Sequence, residues 1–125
     1  MKQIIHTDLA PKAVGPYSQA VMTKDMIYTS GQIPIDPAQG KIVAETFEAQ
    51  TEQVMKNLKA VLAEAGVGMD RIVKTTCYLA DIADFAAFNG VYAQYFPENP
   101  PARSCFQVAA LPMGAKVEVE VIAVR

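Results

Sequence analysis

Apolar residues recur along this chain with two different periods, and the change from one to the other marks its elements. Phe47, Thr51, Val54, Leu58, Val61, Leu62 and Ala65 fall three or four apart, the repeat of a single helical face. Glu48, Glu52, Lys56, Lys59 and Glu64 take the opposite side, and Gly66 supplies the left-handed stop that helix ends favour. A second helix is predicted from Asp84 as N-cap, with Phe85, Phe88, Val91, Tyr92 and Tyr95 on its apolar side. Pro97, Pro100 and Pro101 end it as a stiff connector. Elsewhere β-branched and aromatic residues predict strands over residues 3–6, Tyr17 to Met22, Met26 to Ser30, Arg71 to Leu79, Arg103 to Ala109 and Lys116 to Arg125. Thr23-Lys24-Asp25 suits a hairpin turn, a turn near Leu111-Pro112-Met113-Gly114 joins the last two strands, and Gly31 to Gly40 reads as loop.

Strand pairs interleaved with two helices predict one α+β domain over residues 1–125, a mixed sheet with both helices on one face. The last strand raises a difficulty with that arrangement. Val117, Val119 and Val121 face one way, while Glu118, Glu120, Ile122 and Val124 face the other. Both faces are apolar towards the C-terminal end, and two helices cover only one of them. Another copy of the chain is the simplest cover for the second face.

Composition narrows the function classes. Eleven Lys and Arg against thirteen Asp and Glu leave a net charge of −2 with no basic cluster, which argues against a nucleic-acid binder. No apolar run has the length of a signal peptide or a membrane span, and Cys77 and Cys105 show no C-x-x-C spacing, so a reducing cytoplasm is the expected compartment. With His6 as the only histidine, no metal-ligand cluster assembles by spacing, and no P-loop, G-x-G-x-x-G or G-x-S-x-G motif suggests a cofactor or a nucleophilic serine.

The remaining candidates are few. Arg103 opens a strand without other charges through Leu111, and its planar fork suits a carboxylate bidentately. Either it holds an anion or it pairs with Glu118 or Glu120 across a hairpin of the last two strands. Those two glutamates share one strand face, where paired carboxylates divide acid and base roles if their environments differ, or are merely solvated. Tyr17 follows the rigid Gly15-Pro16 and either overhangs a cleft or belongs to the core; Ser30-Gly31 ends a strand where a backbone approaches a ligand or simply turns. Asn89 on the second helix either bonds a neighbouring loop or faces water, and Cys105 has only Arg103 nearby to acidify its thiol.

Five segments then occur in a telling order: Gly15-Pro16-Tyr17; Thr29-Ser30-Gly31-Gln32-Ile33-Pro34; Ile72-Val73-Lys74-Thr75-Thr76; Pro101-Ala102-Arg103-Ser104-Cys105; and Val117-Glu118-Val119-Glu120 with Ile122-Ala123-Val124-Arg125. Along essentially its full length the chain resembles the RidA/YjgF family of reactive intermediate deaminases. The connector Glu98-Asn99-Pro100-Pro101 is shorter than in some relatives. The resemblance implies a chorismate-mutase-like fold, a homotrimer with active sites between subunits, and cofactor-free, metal-free hydrolysis of short 2-imino acids to 2-oxo acids and ammonia. It further implies that Arg103 grips the substrate carboxylate and that Glu118 positions or activates the attacking water. Tyr17 would serve as an aromatic lid, Ser30 and Gly31 as pocket wall, Asn89 as a polar neighbour, and Cys105 as a donor of backbone groups. Two rival expectations are a non-catalytic binder of 2-oxo acids and a ribonuclease or translation inhibitor, roles attributed to some relatives.

Overall fold

A computed structural model describes residues 1–125. The strands are β1 (Gln3–Ile5), β2 (Ala20–Met22), β3 (Met26–Thr29), β4 (Ile35–Asp36), β5 (Lys41–Ile42), β6 (Ile72–Leu79), β7 (Ala102–Gln107) and β8 (Val117–Val124). The helices are α1 (Phe47–Glu64) and α2 (Phe85–Tyr95). Six strands form the main sheet in the order β1-β2-β3-β8-β6-β7, all antiparallel except β6 with β7, while β4 and β5 make a small separate hairpin.

Thr46 caps α1 by accepting the Ala49 amide at 3.1 Å, and the helix buries Val54, Met55, Leu58, Val61 and Leu62 completely. These side chains pack on Val117, Val119 and Val121 of β8 and on Cys77 and Leu79 of β6. α2 joins the same layer, where Phe88 meets Phe47 edge-on at 6.5 Å and the Tyr92 hydroxyl lies 2.7 Å from Thr75 Oγ. The expected arrangement of both helices on one face of a mixed sheet is what forms. No helix is long and apolar enough to cross a membrane.

Five expectations change. β2 begins only at Ala20, so Tyr17 and Ser18 lie in the approach to the strand, and Arg71 belongs to a 3-10 turn before β6. The stretch from Gly31 to Gly40 is not all loop, because Ile35–Asp36 pairs with Lys41–Ile42. Asp84 stands at the N-cap of α2 without a capping bond; Asp81 does the capping one turn earlier, accepting the Ala83 amide at 2.9 Å. Most consequentially, the last two strands are not a hairpin. β6 lies between β7 and β8, pairing with the first in parallel and the second antiparallel. A β6-α2-β7 crossover carries the chain over the sheet, and parallel neighbours require such a connection.

The sheet's other face carries Ile4, Tyr28 and Phe106, which are 52%, 42% and 45% exposed, with Val21, Ile122, Val124 and Tyr78 half-buried among them. This is the second apolar face anticipated from the final strand.

Candidate active site

The sheet register distributes the candidate residues between two places. On β7, Arg103 stands opposite Thr75, which in turn stands opposite Val121 of β8. Thr75 and Val121 are buried beneath the helices, so Arg103 emerges on the helix side, at the sheet edge and against α2. Its Nη1 donates to Asn89 Oδ1 at 2.7 Å. Its guanidinium carbon lies 4.9 Å from the ring centre of Tyr92, 5.3 Å from Phe85 and 5.9 Å from Phe88, a cation–π cradle built by one helix. No carboxylate pairs with it; the one contact between a basic side chain and a carboxylate is that of His6 with Asp8 at 3.2 Å, both well exposed. The alternative of a hairpin ion pair to Glu118 or Glu120 is therefore overturned, because β6 stands between β7 and β8 and both glutamates point from the opposite face. One donor of the fork is spent on Asn89, and the remainder border a cavity shared with Ala93, Phe96, Pro100 and Pro101.

Cys105 follows on the same side of β7, in register with Cys77. Burial raises the Cys105 thiol pKa, an effect that Arg103 only partly offsets, and burial pushes Cys77 up to about 12. Neither environment favours the thiolate at neutral pH.

Glu118 belongs to the second place. It projects from β8 on the face away from the helices, where Gln32 bridges the strand by exchanging two backbone hydrogen bonds with Val119 at 2.9 and 3.2 Å. The bridge presses the Gly31 backbone against the Glu118 side chain. A Cβ at residue 31 would lie 2.9 Å from Glu118 Cδ and overlap its carboxylate, so this close approach requires glycine. Burial, and secondarily the charge of Glu120, holds Glu118 above the usual carboxylate range. Glu120 accepts the Tyr78 hydroxyl at 2.7 Å, whereas no side-chain hydrogen bond of the chain reaches Glu118.

Around Glu118 lies a cavity of about 460 Å³ lined also by Tyr17, Ser30, Ile33, Lys12 and Met113. The Ser30 hydroxyl donates to the Ser18 carbonyl at 2.6 Å, which ties the turn bearing Tyr17 to the wall, and Tyr17 remains 48% exposed over the opening. Tyr17, Ser30, Gly31 and Glu118 thus come together, as do Asn89 and Arg103. The two groups do not meet within one chain: β7 and β8 are two strand spacings apart, roughly 10 Å, and the side chains leave opposite faces.

Several residues escaped the sequence reading. Gln19 is buried and holds the segment before the cavity, accepting from the Thr7 amide at 2.7 Å and donating to the Thr7 carbonyl at 3.0 Å and the Pro11 carbonyl at 2.7 Å. A glutamine inside an apolar strand-like stretch was its only signal. Met113, with φ 58, reaches the cavity rim from a left-handed position that nothing in its residue type announces. His6 stays outside both places.

A family model described as endoribonuclease L-PSP matches residues 7–125. Among curated proteins, human 2-iminobutanoate/2-iminopropanoate deaminase is 46% identical over 125 residues, covering 100% of this chain and 91% of that protein. Among solved structures, YyfA of the conserved Rid family from Yersinia pestis superposes with a TM-score of 0.97 at 49% identity, each chain covered in full. Escherichia coli TdcF with bound serine gives 0.94 at 44%, covering 98% of both chains.

Proposed function

This chain belongs to the endoribonuclease L-PSP family, among whose members are proteins named for Rid and RutC, and from that premise we propose that it hydrolyses short 2-imino acids. The products are a 2-oxo acid and ammonia. The observation that carries the reading is Arg103, a half-buried guanidinium with no carboxylate partner, oriented by Asn89 and three aromatic rings. It offers a planar anion a prepared fork. The named activity of the human relative and the serine in TdcF, which pairs a carboxylate with a nitrogen on the adjacent carbon, support the same ligand class.

The two halves of the site call for a second copy. We infer that Arg103 of one subunit faces the Glu118 cavity of the next. Such a contact joins unlike surfaces and closes into a ring, of three subunits as the family resemblance implies. The apolar sheet face carrying Tyr28, Phe106 and Ile122 supplies surface to bury.

In that cleft the substrate is held by its carboxylate, with the protonated imine carbon already electrophilic. Glu118 accepts a proton from water as its oxygen bonds to that carbon, giving a carbinolamine. The same carboxyl then protonates the nitrogen; as the C–N bond breaks and ammonia leaves, the hydroxyl gives its proton back to Glu118 and its oxygen becomes the carbonyl, and that proton passes on to the departing ammonia as ammonium. Orientation and a modest base suffice, because the carbon needs no strong nucleophile.

With 2-iminobutanoate generated in situ by a threonine dehydratase, the purified protein is expected to raise ammonia release at least about tenfold over buffer. A rate equal to buffer refutes the reading. Glu118→Gln is expected to lose roughly 10²-fold in kcat; an active Glu118→Gln beside an inactive Glu120→Gln would move the water to Glu120. Gly31→Ala tests the close approach. The flexible glutamate yields to the new methyl, so stability changes by no more than about 1–2 kcal/mol while kcat falls at least roughly tenfold as the carboxylate is displaced. Thermal melting read beside turnover checks that separation, and a loss of folding matching the loss of rate would refute it.

A further inference from the structure

Two residues that this chemistry does not use stand against the carboxylate that it does. Tyr78 of β6 is directly paired with Glu118 of β8, and its ring meets Phe106 edge-on at 5.3 Å. Its hydroxyl, however, reaches past Glu118 and donates to Glu120 Oε1 at 2.7 Å. Glu118 and Glu120 leave the same strand face roughly 6–7 Å apart. The hydrogen bond therefore holds a second carboxylate at a set distance and leaves the first without a donor.

We propose that Tyr78 and Glu120 are positioning residues for Glu118: the tyrosine pins Glu120, and the pinned negative charge, added to burial, raises the pH at which Glu118 gives up its proton. The inference rests on reading Glu118 as the group that takes the proton of water. Such a group works best with a proton affinity drawn towards the working pH, since it must both accept the proton and return it to the leaving nitrogen.

The surroundings of Glu118 make Glu120 its one like-charged neighbour. On β6, Lys74 stands opposite Ile122, further along the strand, and its ammonium donates to Ser104 Oγ at 3.3 Å. The segment Gly31–Gln32 carries no ionisable group, nor do Pro112 and Met113. Lys12 and Tyr17 share the cavity from the preceding loop. In the proposed assembly an Arg103 from a neighbouring copy faces the same carboxylate and is common to every variant compared below. Burial first, then its bond to Glu120, pushes Tyr78 up to about 12, so it stays a hydrogen-bond donor throughout the neutral range.

The sign follows directly. Glu120→Gln keeps the shape and the bond to Tyr78 but removes the charge, so ionised Glu118 is less repelled and its proton leaves at lower pH. Following the Glu118 side-chain carboxyl carbon by NMR against pH, with its resonance assigned from Glu118→Gln, the midpoint is expected to fall by roughly half to one unit in Glu120→Gln. Tyr78→Phe releases Glu120 from its fixed distance and gives a smaller shift in the same direction. The double variant matches Glu120→Gln alone, and the acid limb of kcat/KM moves with the midpoint. An unchanged midpoint in Glu120→Gln overturns the proposal. So does a Tyr78→Phe shift that persists when residue 120 is already Gln, because Tyr78 would then act by another route. A midpoint that moves while the acid limb stays still upholds the pairing and refutes Glu118 as the base.

Discussion

Arg103→Ala is expected to lower kcat/KM for 2-iminobutanoate by roughly 10²–10³-fold, with most of the loss in KM. A guanidinium–carboxylate fork makes two charge-assisted hydrogen bonds, together worth roughly 3–4 kcal/mol in a site shielded from water, and each 1.36 kcal/mol is a factor of about ten. The guanidinium has its faces covered by Tyr92, Phe85 and Phe88 and one nitrogen held by Asn89, so little remains to be ordered when the ligand arrives. Arg103→Lys retains the charge but neither the fork nor the stacking, and is expected to recover no more than about tenfold of the loss. Because Arg103 makes no ion pair within the chain, the alanine variant should lose only about 1 kcal/mol of folding stability. Steady-state kinetics and thermal melting on the same preparations check both halves. An Arg103→Ala protein as fast as the parent removes the carboxylate clamp from the reading.

Mixing two inactive variants is expected to restore activity. In rings assembled at random from equal amounts of Arg103→Ala and Glu118→Gln chains, about one cleft in four joins an intact Arg103 to an intact Glu118. Co-expression of the two should therefore return up to about a quarter of parental turnover from parents that are each nearly dead, and up to about a third where separate tags isolate the mixed rings of three, each of which holds one intact cleft. The expectation comes from the sheet: β6 separates the strands bearing the two residues, and their side chains leave opposite faces. If mixed assemblies are as inactive as their parents, Arg103 and Glu118 do not meet across a subunit boundary. Sedimentation of the parent protein supplies the ring size independently, and a monomer contradicts the shared cleft.

Much of this was legible from local pattern. The three-and-four spacing from Phe47 to Ala65 and the β-branched run from Ile72 to Leu79 mark α1 and β6 because each period belongs to one backbone geometry. Alternation along β8 separates Val117, Val119 and Val121 from Glu118 and Glu120 in the sequence as it does in the fold, since a strand's side chains alternate whatever lies beside it. Apolar residues on both faces of that strand already demanded more cover than two helices provide. An arginine alone in an otherwise uncharged strand was similarly visible as a residue needing a partner.

Partners are another matter, because pairing is a property of distant segments. Nothing between residues 103 and 125 indicates that β6, some thirty residues upstream of β7, inserts between the last two strands, and that insertion removes the hairpin ion pair the sequence left open and sets Arg103 and Glu118 on opposite faces. Gly31 reads equally well as a turn until the Gln32–Val119 bridge presses its backbone onto the Glu118 carboxylate. Tyr78 reads as sheet filler until the register places it opposite one glutamate and its hydroxyl on the other. Periodicity within a segment records which side chains share a face. Which faces confront each other, and which charges stand unpaired as a result, is settled by long-range packing: the apolar sides of α1, α2 and β8 bury one another and carry the polar residues with them.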